Sequence, residues 1–540
     1  MLYRPAPTGA TGVRTRRAWL VDGAAVLILL ALVPVVHRVG PMLRAPFWLD
    51  EAWVAMSARG SLRQALDLTG PTPVGWTLLM RAIPGDGPER LRWLPFLFLA
   101  ASVPAGYALG RLLGWERRAY AVLAGLTGAA GALLLPAQQV RHDLKQYTAD
   151  GAIAVALLAL AAWAESRWSY RRLAVFAGCA VAAMFFSHPA LLVGGAGLGA
   201  FVLVALHRRA RDDLRVALRV AAAGWLVMAA CYLTVSRRGQ IESLETYWDD
   251  YFLSFTSGPS LPSYLGARLD ELGDLFGLPW PVFALLAAAG VATMAKTGRP
   301  VAAATMAALP AGVVVAGYLR AYPVLDQRTS HFLLVASAVS AGIGVVGAAR
   351  LAASLLQRRR PGVTAAVAAA AVTAFALANA GWFRYYAPPG IYPRQPDAFA
   401  AGYLRYDIRD QVRYVEAHRR PGDVVLVNSW GNFGFAYYWR PDAPTFVRDT
   451  DFGNGWAAGY RDSARIVVAA ERDEPALADA LARAESLLAP GGRIWLVRTH
   501  LEFFELAGWQ EALRDRPVEW IPVGPELLGL VTPAPAGGRQ

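Results

Sequence analysis

Long apolar runs alternate with short arginine-rich turns through the first two thirds of the chain. Windows of about 19 residues separate about eleven such runs. They lie at 19–36, 93–113, 119–136, 149–165, 173–187, 189–206, 216–235, 278–295, 301–319, 332–349 and 363–382. About 20 apolar residues cross the hydrocarbon core as a helix, so each run predicts a membrane-spanning helix. After the last run the pattern changes. Strand-like runs at Asp423–Asn428, Arg465–Ala470, Arg493–Arg498 and Leu527–Thr532 flank an amphipathic helical stretch, Glu474–Leu488, that runs into Pro490-Gly491-Gly492. Alternating strand and helix signals predict a small α/β domain. The expected fold is a polytopic α-helical membrane protein with a C-terminal extracytoplasmic α/β domain. It divides into a cytoplasmic segment 1–18, a transmembrane domain 19–385, the α/β domain 386–532 and a loose tail 533–540.

Charge sets the orientation. Arg14, Arg16 and Arg17 precede the first run, and Lys and Arg near span ends favour the cytoplasmic side. With the N-terminus inside, the inner turns Trp115–Arg118, Arg167–Arg172, His207–Arg215, Lys296–Arg299 and Arg350–Arg360 are short and arginine-rich. The outer loops 37–92, 137–148, 187–189, 236–277 and 320–331 mix Arg with acids and aromatics. The first run exceeds a signal-peptide core, and His37-Arg38 rather than a small-residue cleavage site follows it, so it reads as a retained helix. An odd number of spans then places the C-terminal domain outside the plasma membrane.

Composition agrees with this class. The chain has 540 residues, 55% hydrophobic and 17% charged, with a mean hydropathy of +0.33; soluble domains carry about a quarter charged residues. A net charge of +13 would suggest nucleic acid in a soluble protein. Here the Arg clusters sit at inner span ends, so the bilayer is the expected partner and nucleic acid is not. Cys179 and Cys231, the two cysteines, lie in apolar runs, which leaves no disulfide framework and no CxxC pair.

The topology gathers the unusual polar residues on one face. Asp50 and Glu51 follow the first span between Trp48 and Trp53. Arg141, His142, Asp143, Lys145, Gln146 and Tyr147 form the second outer loop. Ser187-His188-Pro189 is a tight turn, and Asp326, Gln327, Arg328 and His331 precede the tenth span. Ionisable groups at membrane depth are costly and mark substrate paths. This mixture suits a lipid-linked phosphate substrate: Arg and Lys hold phosphate oxygens and stabilise a leaving phosphate, and a carboxylate beside the acceptor takes its proton. Each residue also has a plainer reading. Asp50 and Glu51 fit the first turn of a helix, Lys145 and Arg141 fit lipid headgroups, His188 before Pro189 fits a helix cap, and Arg328 fits a salt bridge with Asp326. Leu488–Val497 resembles a piece of a nucleotide-cofactor methyltransferase, but the glycine turn that should precede it is absent, and a C-cap at Gly491 or Gly492 explains it.

Phe47-Trp-Leu-Asp-Glu-Ala-Trp53 resembles the first-loop acidic motif of membrane glycosyltransferases with the C-type (GT-C) fold, closest to the protein O-mannosyltransferase and aminoarabinose transferase family. Leu68-Thr-Gly-Pro-Thr-Pro-Val-Gly-Trp-Thr-Leu-Leu79 is similar to the surface-helix segment that follows in such proteins. His142-Asp-Leu-Lys-Gln-Tyr-Thr-Ala-Asp150 is similar to their second-loop motif, and Arg328 to an Arg before a late span. The resemblance covers about the first 350 residues. It implies a polyprenyl-phosphate sugar as donor and transfer, with inversion, to an envelope glycan, lipid or protein on the outer face. It assigns Asp50 as base, Glu51 as its neighbour for positioning, and Lys145 and Arg328 as donor-phosphate ligands; Arg141, His142, Asp143, Tyr147, His188 and His331 complete the candidate substrate-binding set. No cofactor is predicted, because the first loop has no DxD pair; Asp143 leaves a divalent cation open.

Two other classes compete. A transporter or flippase of lipid-linked sugars would place polar residues at mid-membrane in broken, paired helices, whereas these spans are apolar in their centres. A non-catalytic envelope protein would bind glycan through its outer domain, for which the aromatic stretch Asn428–Trp439 is the candidate; the same stretch also suits packing the domain onto the membrane part.

Overall fold

The computed structural model describes residues 16–37, 39–44, 46–47, 49–69, 72–84, 88–135, 140, 143–239, 248–253, 260–273, 279–356, 407–439, 445–448, 456–459, 465–524 and 526–532. The expected eleventh span, the domain boundary at 385/386 and the tail 533–540 lie outside these residues, as do Trp48, Arg141 and His142.

The first ten apolar runs each coincide with a helix. These are α1 (Arg16–Val36), α6 (Pro88–Leu112), α7 (Arg118–Leu134), α8 (Tyr147–Ser166), α9 (Tyr170–Ala183), α10 (Ala190–His207), α11 (Arg211–Thr234), α13 (Trp280–Lys296), α14 (Pro300–Tyr318) and α15 (His331–Leu356). Among the described residues, α6, α8, α10, α11, α14 and α15 contain stretches long and apolar enough to cross a membrane, and α1, α7 and α13 contain shorter apolar ones. Helix α9 stops at Ala183, short of its expected end, where the chain turns through Met184–Phe186. The local signals that start these helices are ordinary ones. Ser169 caps α9 by accepting the backbone N–H of Arg172, and Pro300 opens α14 where its missing N–H costs nothing.

Helices α8 and α15 are the most enclosed; α15 packs on α7, α8 and α13, and α6 on α7 and α8. Ionisable groups at the opposite ends of the helices from the first loop are paired. Asp22 of α1 accepts from Arg111 and from the Tyr107 hydroxyl of α6, at 2.9 and 2.7 Å. Glu165 at the end of α8 accepts from Arg208 after α10 and from the N–H of Val301 in α14, at 2.9 and 3.0 Å. A desolvated charge needs such a partner.

The first loop is built of four short helices, α2 (Val39–Arg44), α3 (Leu49–Arg59), α4 (Leu62–Leu68) and α5 (Val74–Ala82). Ser61 and Gln64 form a reciprocal capping box at α4. Buried Trp76 of α5 donates its indole N–H to the Leu144 carbonyl at 2.8 Å, tying the first loop to the segment before α8. Helix α12 (Leu261–Gly273) precedes α13.

The C-terminal domain contains β1 (Val424–Val427), β4 (Ile466–Val468), β5 (Ile494–Val497), β6 (Val518–Ile521) and β7 (Leu528–Val531) in a sheet of order β4-β1-β5-β7-β6. Strand β1 is parallel to β4 and β5, while β7 is antiparallel to β5 and β6. Strands β2 (Thr445–Arg448) and β3 (Trp456–Gly459) form a separate antiparallel pair. The period of two divides β1 between two cores. Val424 and Leu426 meet α18 (Glu474–Ser486) and α19 (Phe503–Ala512), including Leu477, Leu481 and Trp509. Val425 and Val427 meet α16 (Arg409–His418) and α17 (Asn432–Trp439), including Val412, Phe435 and Trp439. Burial on both faces explains why these strands are continuous apolar runs. Helix α18 ends at Ser486 with Leu487 as its cap; Gly491, at φ +78°, serves the following turn into β5 instead of capping the helix.

The aromatic stretch is thus α17, and it packs. One side, with Phe435 and Trp439, lies on the sheet. The other, with Phe433, Ala436 and Tyr437, joins Phe47, Ala52, Ala55 and Met56 around α3 in one core. A helix enclosed on two sides has no polar face to show.

Candidate active site

Three separate loop segments converge at Asp50. Its carboxylate is in the first turn of α3, where the helix dipole favours an anion. Lys145 Nζ donates to Asp50 Oδ2 at 2.6 Å, and Arg328 reaches the same oxygen at 3.5 Å. The three side chains are 23%, 18% and 14% exposed, a partly desolvated cluster. Among the described residues Oδ1 of Asp50 takes no hydrogen bond. Burial raises the Asp50 carboxyl, but the charges of Lys145 and Arg328 outweigh it and hold the group below its ordinary value. Burial likewise disfavours the Lys145 ammonium, and Asp50 overrides that, so Lys145 stays firmly protonated.

Local turns aim these groups. Asp143 Oδ1 accepts the backbone N–H of Lys145 at 2.9 Å, which bends the chain just before α8. Asp326 Oδ1 accepts the N–H groups of Arg328 and Thr329, at 3.0 and 2.9 Å, in the equivalent turn before α15. The pairing of Arg328 with Asp326 expected as the plainer reading therefore runs through the backbone, and the guanidinium goes to Asp50. Aromatic faces flank both cations: Lys145 Nζ lies 5.7 Å from the Trp53 ring centre, and Arg328 lies 5.8 Å from that of Trp248.

The other candidates separate. Glu51, next to Asp50, turns inward. Its Oε2 accepts from Arg92 of α6 at 2.8 Å, and both side chains are fully buried. Arg92 also donates to the Pro46 carbonyl at 2.8 Å and lies over the Phe47 ring, 4.7 Å from its centre. Glu51 thereby ties the first loop to α6. Asp143 is buried, and burial pushes its carboxyl up to about 6 against the pull of Lys145. Tyr147 is buried against Leu99 and Val140. His188 is half-buried on the turn before α10, where Pro189 is the cap and the His188 carbonyl accepts the N–H of Leu191. His331, the first residue of α15, is buried against Gly151 of α8.

Sequence reasoning missed two groups. Asp150, the last residue of the second-loop motif, is buried in the first turn of α8 against Ser187. An acid inside an apolar run was the available signal. His500, in the C-terminal domain, is the other. It accepts the N–H of Leu49 at 3.1 Å, one residue from Asp50; no spacing rule connects residues this far apart. Among the described residues no group of three or more His, Cys, Asp or Glu side chains is placed to hold a metal ion.

The class this defines is a polytopic helical membrane protein whose loop residues at one end of the bundle meet beside a C-terminal α/β domain. No family model and no curated protein sequence matches the chain. Solved structures do. The crystal structure of ArnT from Cupriavidus metallidurans, bound to undecaprenyl phosphate, aligns with a TM-score of 0.50 at 12% identity, over 97% of this chain and 100% of that one. An oligosaccharyltransferase from Archaeoglobus fulgidus, in complex with zinc and sulfate, aligns with a TM-score of 0.45 at 12% identity, over 87% of this chain and 67% of that one. The likeness to ArnT extends over both the helical part and the C-terminal domain, and the chain has that C-type membrane-glycosyltransferase fold.

Proposed function

We propose that the protein transfers a sugar from a polyprenyl-phosphate donor to a cell-envelope acceptor on the outer face of the plasma membrane, with Asp50 as general base. The observation that carries the proposal is the meeting of Asp50 with Lys145 and Arg328, from three distant segments, in a partly desolvated cluster. A donor phosphate entering laterally from the bilayer draws Lys145 and Arg328 onto its oxygens. That withdraws the cations from Asp50 and raises its basicity where a hydroxyl must be deprotonated. Oδ1 accepts the acceptor's proton as its oxygen bonds to the anomeric carbon. The bond from that carbon to the phosphate oxygen breaks, and the two cations hold the charge that develops on the leaving phosphate. One displacement inverts the anomeric centre, and one carboxylate on the acceptor side suffices. The ArnT crystal structure, which holds undecaprenyl phosphate, supports this donor class.

The test is sugar transfer from a panel of radiolabelled polyprenyl-phosphate sugars to an envelope extract by purified protein. Wild type is expected to transfer from at least one donor, and Asp50→Asn to lose about 10²- to 10⁴-fold in kcat. Transfer that survives Asp50→Asn would move the base to another group. A folded protein that transfers from no donor would sink the enzymatic reading.

A further inference from the structure

The C-terminal domain grips the helix that carries Asp50. The first N–H groups of any helix lack intrahelical partners, and here the domain supplies one to α3: His500 Nε2 accepts the Leu49 N–H at 3.1 Å. Two residues earlier, the hydroxyl of Tyr438 accepts the Phe47 N–H at 3.0 Å. At the far end of α3, Arg59 donates to the Tyr437 hydroxyl at 2.9 Å, with its guanidinium over that ring. These contacts bracket Asp50 on both sides.

His500 is built for this place. It is 6% exposed and follows β5 with φ +57°, a left-handed conformation that costs a non-glycine residue energy. Its Nδ1 faces the Thr499 hydroxyl at 3.0 Å. With Nε2 accepting from Leu49, the neutral ring carries its proton on Nδ1 and donates it to Thr499. Trp430 meets the ring edge-on, and Arg472 stacks on Trp430 at 3.6 Å while pairing with Glu505 at 3.0 Å. Charged neighbours are Asp50 on α3 and Arg472. Burial drives the imidazole down to about 3, so it remains an acceptor at neutral pH.

We propose that His500 is a positioning residue for Asp50, and that the C-terminal domain is a structural part of the catalytic site. In catalysis this rests on the proposed role of Asp50; the grip on α3 does not. The domain fixes the backbone from Phe47 to Asp50, and with it the direction of the carboxylate toward Lys145 and Arg328.

The experiment is hydrogen–deuterium exchange on the full-length protein in nanodiscs, reading peptides across 47–59, alongside transfer kinetics at saturating donor. His500→Ala is expected to raise exchange in 47–59 by about tenfold or more, with β1 and β5 still protected. It is expected to lower kcat by about 10- to 100-fold while KM changes by less than about threefold. His500→Gln, whose Oε1 reaches the place of Nε2, is expected to restore both. Unchanged exchange in a folded His500→Ala protein, an unaltered kcat, or a folded His500→Gln protein as impaired as His500→Ala would overturn the proposal. Where His500→Ala fails to fold, Tyr438→Phe decides: faster exchange at Phe47 supports the grip and unchanged exchange refutes it. Should wild type transfer from no donor, the exchange data still test the grip, and only the enzymatic reading falls.

Discussion

Adjacent carboxylates can have opposite fates. Successive residues on a helix point about 100° apart, so α3 sends Asp50 to Lys145 and Arg328 and Glu51 into the bundle against Arg92. Asp143 illustrates how burial sets charge. Its folded value of about 6 lies above the ordinary carboxylate value of 3.8. The folded protein therefore holds the proton more tightly than the unfolded chain, and stability falls as pH rises from the ordinary value to about 6. Above that window the ionised group costs on the order of 3 kcal/mol. Asp143→Asn keeps an Oδ1 acceptor for the Lys145 N–H without the charge. It is expected to raise the thermal midpoint at about pH 7.5 and to leave it nearly unchanged at about pH 4. A shift of the same size at both pH values would show that the charge is not the cause.

At the scale of elements, the bundle depends on helices meeting backbone to backbone. Gly106 of α6 and Gly128 of α7 face each other: a Cβ on either would stand 2.9 or 2.8 Å from the other's carbonyl oxygen, with Val339 of α15 against both. Small residues at such crossings let helices associate where lipid offers no hydrophobic drive. Gly128→Leu has no room, since the obstacle is backbone and not a movable side-chain end. It is expected to destabilise the bundle by about 1–3 kcal/mol or more. Gly178 of α9 has no atom within 4 Å of such a Cβ, and Gly178→Leu is expected to be tolerated. Thermal unfolding monitored by size-exclusion chromatography checks both, and equal loss in the two would contradict the crossing argument.

For the whole molecule, the packing of α17 on α3 requires the C-terminal domain to share a side with the first loop. By the arginine-rich turns at the opposite helix ends, that side is expected to be the outside. A cysteine-free background (Cys179→Ser, Cys231→Ser) carrying Asp479→Cys in the exposed face of α18 is expected to react with an impermeant maleimide on intact cells. Arg215→Cys, at the start of α11, is expected to react only after permeabilisation. The reverse pattern would invert the topology.

The sequence alone determined what is local. Apolar runs located ten helices, because crossing a bilayer is a property of each segment and not of its neighbours. Continuous apolar runs located β1, β4, β5 and β7. It did not reveal β6, where Glu519 breaks the run, nor the short β2 and β3, nor α16 and α19. It named Asp50, Lys145 and Arg328 and put them on one face through orientation and resemblance. Only the tertiary structure decided partners. Glu51 joins Arg92 across 41 positions, Arg328 joins Asp50 across 278, and His500 joins Leu49 across 451. Hydropathy and turn chemistry act over a few residues, so they shape helices and loop bends. Which charge meets which across the folded chain follows from how the helices pack and where the second domain docks, and no short-range pattern encodes that.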